Sequence, residues 1–214
     1  ERDLRVLHAG IVEGRRALGN VTKYLLMETS SNFGNMLSMA LASVLLPFLP
    51  MLPVQVLLNN FLYDVAQITI PTDRVDADFL SKPRRWQIWL VRRFMVRAGP
   101  ISSVFDLVTF AGLLYLFHAS ADVFHTGWFV ESLSTQILVL FVIRTLGTGA
   151  ATPPSRALVL SSVAVVAVAF LLPVSPLAPL LGFVPLPPAL LGFVVLTVAA
   201  YLALVWIAKR HVLR

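Results

Sequence analysis

No cysteine occurs in the 214-residue sequence, so disulfides, thiolate zinc sites, iron–sulfur clusters and a thiol nucleophile are all excluded. Charge is scarce as well, at 13% of residues. A soluble domain carries about 25% because its surface must be wetted, so a chain with half that amount lacks the polar surface to cover a core. The four histidines are scattered, without metal-ligand spacing. No glycine-rich phosphate loop is present, and Glu1 to Glu28 holds no apolar run of the kind a cleavable signal needs.

What the chain has instead is hydrophobic residues, 57% of the total with a mean hydropathy of +0.81. A bilayer core about 30 Å thick takes roughly 20 apolar helical residues. Six stretches meet that length, near 30–49, 54–71, 98–118, 127–146, 157–173 and 189–208. The expected fold is therefore all-α, a polytopic membrane bundle of six helices. Tyr24, Tyr63, Trp86, Trp89, Tyr115, Trp128 and Trp206 fall mostly near span ends, where amphipathic rings favour the headgroup layer.

Lys and Arg number 17 against 11 Asp and Glu. If six helices alternate, all of these cations lie on one side: Arg2 to Lys23, Arg74 to Arg97, Arg144, Arg156, and Lys209 to Arg214. The positive-inside rule then places both termini in the cytoplasm, in the plasma (inner) membrane, and the pI near 10.3 reflects topology and contact with anionic lipid. No nucleic acid is expected as a partner. Pro47, Pro50 and Pro53 predict a short outer turn that makes the first two spans antiparallel neighbours, and the six prolines from Pro173 to Pro188 predict a longer one. Between Pro71 and Arg97 lies a polar loop with an interfacial helix from Trp86 to Phe94.

Polar groups inside a span need a reason, since a mid-bilayer carboxylate costs about 2.5–3.5 kcal/mol. Asn60, Asp64 and Gln67 form one stripe of the second span, with Tyr63 beside them, and Glu28, Asn32 and Asn35 share a face of the first. Asn carbonyls and an Asp carboxylate are hard ligands suited to Mg²⁺. Asp64 reads as a ligand or proton relay; Asn32 and Asn35 fit either a ligand role or interhelical hydrogen bonding. Gly34 allows local unwinding or close helix approach. Asp106 and Gln136 are second-rank ligand candidates: an anchoring role is at least as well supported for Asp106, and an interhelical hydrogen bond is the stronger reading for Gln136. Glu131, His118 and His125 are expected at the wetted outer end.

At these same residues the sequence resembles a family. Ser30-Ser31-Asn32-Phe33-Gly34-Asn35-Met36 and Pro47 through Asp64 are similar to the fifth and sixth transmembrane helices of P-type cation ATPases. Ile70-Pro71-Thr72-Asp73, Lys82-Pro83, Gly99 through Phe110 and Gly127 through Leu133 resemble the magnesium-transporting branch. The resemblance covers nearly the whole chain and is most specific through Thr145. It implies residues 1–25 as the cytoplasmic stalk and end of the phosphorylation domain, and 26–214 as the C-terminal transmembrane domain. It also implies transport of a divalent cation, Mg²⁺, with Asn32, Asn35, Asn60, Tyr63 and Asp64 at cation-binding positions. Where calcium pumps carry a carboxylate this chain has Asn35, which favours a single, partly hydrated ion. The phosphorylated Asp-Lys-Thr-Gly-Thr motif and the ATP site are not in this sequence, so ATP hydrolysis is expected from further domains in the same or a separate chain. From the residues alone, a membrane scaffold or regulatory subunit and an ion-gradient-driven carrier are the alternatives.

Overall fold

A computed structural model describes residues 4–85, 88–145 and 152–212, with side chains as far as Ile207. Arg2, Trp86, Leu146 and Arg214, and the side chains of Lys209 and Arg210, lie outside the described residues. The described residues form helices and turns, with no strand. Four helices are long and apolar enough to cross a membrane: Ile88–Leu116, Ala121–Ile143, Arg156–Val174 and Pro188–Ile207. They coincide with the last four expected spans.

The first helix, α1, runs unbroken through Leu4–Leu45, 42 residues or about 63 Å. Its buried seam is small and polar, with Gly19, Asn20, Lys23, Ser30, Ser31, Gly34 and Ser38 among its members, which is why hydropathy alone understates it. From Ser30 to Ser38 that seam packs against α4 (Ile88–Ala111), while Gly19, Asn20 and Lys23 meet the segment from Pro71 to Phe79. A Cβ on Gly34 would sit 3.1 Å from the Gly99 carbonyl oxygen and one on Gly99 would sit 2.6 Å from Phe33, so the crossing depends on both glycines. Ser103 Oγ donates to the Gly34 carbonyl at 3.0 Å across this contact. Gly34 therefore serves close approach and not unwinding.

Helix α2 (Pro53–Gln67) is only 15 residues, about 22 Å, and gives way to a 3₁₀ turn at Ile70–Thr72 around Pro71. Pro53 opens it, and Gln55 Oε1 accepts from the Leu52 N–H at 3.2 Å. Gln55 Nε2 donates to the carbonyls of Leu181 and Gly182, tying this end to the second proline-rich loop. A short α3 (Ala77–Ser81) follows. The interfacial helix expected before Arg97 is not separate: Ile88 to Phe94 is the first part of α4, which continues through Pro100 and ends in a π turn at Gly112–Leu116. At that turn the absence of a Gly112 side chain makes room for the Phe193 ring.

Helix α5 (Ala121–Ile143) is the axis of the bundle, packed by α1, α2, α4, α6 (Arg156–Leu171) and α8 (Pro188–Val212). Ser120 and Ser155 cap α5 and α6 by accepting from Val123 N and Leu158 N. The remaining α7 (Ala178–Leu181) is one turn inside the proline-rich loop, closed by Gly182 at φ +70°. Because α5 is central, Glu131 and His125 are 1% and 5% exposed and not wetted as expected. His125 Nε2 meets the Leu49 carbonyl at 2.6 Å, and His118 is exposed.

Candidate functional site

The proline turn does not press α1 and α2 together along their length. Their backbones approach closely at few points, and side chains bridge a cleft with a cavity at each end. One cavity, about 580 Å³, is lined by Asn32, Asn35, Asn59, Asn60, Met51 and Ser132 among others. The other, also about 580 Å³, is lined by Asp64, Gln67, Asn20 and Tyr24 among others. Between them Glu28 accepts from Asn32 Nδ2 at 2.5 Å and from Gln67 Nε2 at 3.0 Å, a polar bridge from α1 to α2.

The expected ligands are thus divided. Asn32, Asn35 and Asn60 share the first cavity, and Asp64, one turn on from Asn60, faces the second. Asn60 and Asp64 are exposed on the outer side of α2. The inward row is the adjacent one, Asn59, Tyr63 and Gln67, spaced four residues apart and all buried. In each, an oxygen has no hydrogen bond among the described residues: Asn59 Oδ1, the Tyr63 hydroxyl and Gln67 Oε1. The Tyr63 hydroxyl is near Ser31 and Gln67 without bonding geometry to either. Unpaired buried polar oxygens are rare in folded proteins, and a row of them can be completed by ordered water or by an entering cation. Asn59 and Glu28 are residues that the sequence pattern does not place in the ligand set. The adjacent pair Asn59-Asn60 is the available signal, since one of the two has to face inward.

Asn32 uses its amide nitrogen on Glu28, which leaves its oxygen as the donor atom for a cation. Asn35 Oδ1 accepts from Ser132 Oγ at 3.3 Å, and Ser132 Oγ accepts from Gln136 Nε2 at 2.8 Å. The interhelical role weighed for Asn35 is therefore present, and Gln136 reaches the cavity only through Ser132. Asp106 borders neither cavity. Its Oδ2 accepts from Ser38 Oγ at 2.5 Å and its Oδ1 from Trp128 Nε1 at 2.9 Å, the anchoring arrangement.

At the Pro71 end the N-terminal part of α1 is bolted to the loop after α2. Asp73 Oδ2 accepts from Lys23 Nζ at 2.8 Å and Arg144 Nε at 3.1 Å, and Oδ1 accepts from Arg144 Nη2 at 3.0 Å and the Ser155 N–H at 3.0 Å. Asn20 Nδ2 donates to the carbonyls of Pro71 and Asp73, and Arg144 donates to the Thr152 carbonyl. Four elements meet at one carboxylate. Burial alone would raise the Asp73 pKa, but the hydrogen bonds from Arg144 and Lys23 and from the Ser155 amide outweigh it and hold the carboxyl below its usual range. Lys23 is pushed down by burial, with the Asp73 hydrogen bond opposing.

Comparison with known proteins identifies the family. The family model described as "Cation transporting ATPase, C-terminus" matches residues 48–211. The magnesium-transporting ATPase, P-type 1, of Salmonella typhimurium is 39% identical over 222 aligned residues, covering all of this chain and 24% of its own length. The Escherichia coli protein of the same name is 42% identical over 218, covering 98% and 24%. The chain thus spans about a quarter of the length of the curated relatives it matches.

Proposed function

This chain belongs to the cation-transporting ATPase family, whose C-terminal part it matches, and on that premise we propose that it forms part of a transport path for a divalent cation, Mg²⁺, in an ATP-driven P-type pump of the plasma membrane. ATP binding and phosphorylation fall to the rest of the pump. In this reading the outer part of α1 and the short α2 are two further spans beside the four apolar helices, which makes six, with both termini cytoplasmic. Residues 1–25 are the stalk and 26–214 the membrane domain, in contact with anionic lipid through the basic face.

The observation that carries the reading is the row of orphaned oxygens at Asn59, Tyr63 and Gln67, flanked by Asn32, Asn35, Asn60 and Asp64 along one cleft. Amide and hydroxyl oxygens with a single carboxylate nearby suit a cation that keeps several of its waters. A cavity of about 580 Å³ has room for such an ion with its water. Movement of the stalk from Glu13 to Lys23 would shift Asn32 and Asn35 against α2, since both are on the same continuous helix. Transport assays on the complete pump test this. Asp64→Asn and Asn59→Ala are each expected to lower Mg²⁺ uptake by at least about 10-fold while leaving expression intact; uptake unchanged in both variants refutes the assignment.

A further inference from the structure

We infer that Asp106 and Glu131 together form a proton-binding site inside the bundle, one proton held between the two carboxyl groups with Glu131 as the neutral partner. Asp106 on α4 and Glu131 on α5 are 2% and 1% exposed, and Glu131 lies one helical turn along the same face of α5 from Trp128, which donates to Asp106. Asp106 has both oxygens occupied by uncharged donors, Ser38 from α1 and Trp128 from α5. Glu131 is the opposite case, with both oxygens buried and neither bonded to a described donor. Two ionised carboxylates cannot hydrogen-bond each other, because each offers only acceptors. A single proton on Glu131 makes it a donor to Asp106, gives one of its two oxygens a partner and removes one of two like charges.

Among the described residues nothing else neutralises the pair. No Lys, Arg or His among the described residues makes an ion pair or hydrogen bond with either carboxyl. From α8 the group that faces them is Tyr201, an uncharged hydroxyl with Ser102 of α4 beside it, and from α1 it is Ser38. A metal ion fits the place poorly: among the described residues no group of three or more His, Asp or Glu could hold one, and the pair borders neither cavity. A proton needs no room. The inference holds whichever cation the cleft takes. It nevertheless adjoins the cleft, because Ser38 is one turn from Asn35 on α1, and Asn35 bonds Ser132, the neighbour of Glu131.

Infrared spectroscopy of the purified full-length protein in lipid tests the site near neutral pH. The difference between wild type and Glu131→Gln is expected to show loss of one protonated-carboxyl C=O stretching band, which moves down in frequency when wild type is exchanged into D₂O. A difference spectrum without that band means that Glu131 is ionised and overturns the proposal. If Glu131→Gln does not insert, Asp106→Asn is read in its place. There the band persists but shifts, since Glu131 keeps its proton and loses its charged acceptor; a band unmoved or absent overturns the proposal.

Discussion

Replacing Asp73 with Asn changes one atom at the junction of α1, the loop after α2, α5 and α6. The wild-type carboxylate receives four donors, three of them from Lys23 and Arg144, whose side chains are 2% and 3% exposed. Asn offers one acceptor oxygen and turns an NH₂ toward cations that already donate. Two buried positive charges then lie together without their hydrogen-bonded carboxylate, with Asp76 the remaining acid that acts on Lys23, and breaking a buried pair in this way costs about 3–5 kcal/mol. For a chain of this size that is a fall of about 6–20 °C in the unfolding midpoint. Thermal unfolding of the detergent-solubilised protein measures it. The pH dependence supplies an internal control, because the Asp73 pKa in the folded state lies below its unfolded value. Its stabilisation is fully present above the unfolded carboxyl pKa, about 3.9, and is lost as pH falls from there through the folded value. Wild type should show this acid-side loss, and Asp73→Asn should lack that component. A penalty below about 1 kcal/mol, the worth of a solvated ion pair, would refute the claim that the cluster is buried and mutually dependent.

Three further substitutions test the packing. Gly34→Ala places a methyl 3.1 Å from the Gly99 carbonyl oxygen, where backbone must give way, so a loss of about 1–3 kcal/mol in thermal unfolding is expected; no change would mean that the helices can separate freely. Gln55→Ala orphans the Leu181 and Gly182 carbonyls and the Leu52 amide, with an expected cost of about 1–3 kcal/mol and increased protease access to the proline-rich loop near Gly182. Trp128→Phe keeps most of the ring packing against Phe110 but removes a donor to Asp106, and is expected to cost about 1.5–3 kcal/mol by the same measurement.

The four apolar spans are legible because lipid demands long runs that no other environment explains, and a run such as Leu158 to Leu171, without a single charge, identifies itself. Helices α1 and α2 are harder to delimit. The buried face of α1 is glycine, serine, asparagine and lysine, which register as polar although they are interior. Asn59 and Asn60 are consecutive, so the residue pattern permits two rows about 100° apart, and only the packing of α2 against α5 and α6 selects the inner one. Depth along a helix suggests a wetted Glu131 and His125. Depth does not reveal that α5 is enclosed by its neighbours, a property of the whole bundle. The cluster at Asp73 is invisible in the sequence for a related reason: its members come from positions 23, 73, 144 and 155, which no local window joins.

The crossing at Gly34 and Gly99 divides α1 unequally. About 45 Å of helix lies between Leu4 and Gly34, and about 17 Å between Gly34 and Leu45. A rigid rod pivoting there acts as a reducing lever, so a displacement of the N-terminal end shrinks roughly 2.7-fold at the far end. Asn32 and Asn35 sit within one turn of the fulcrum. They would rotate in place while hardly translating, and a large displacement of the N-terminal end would become a small reorientation of their amide oxygens, which in the proposed transport path is a reorientation around the ion.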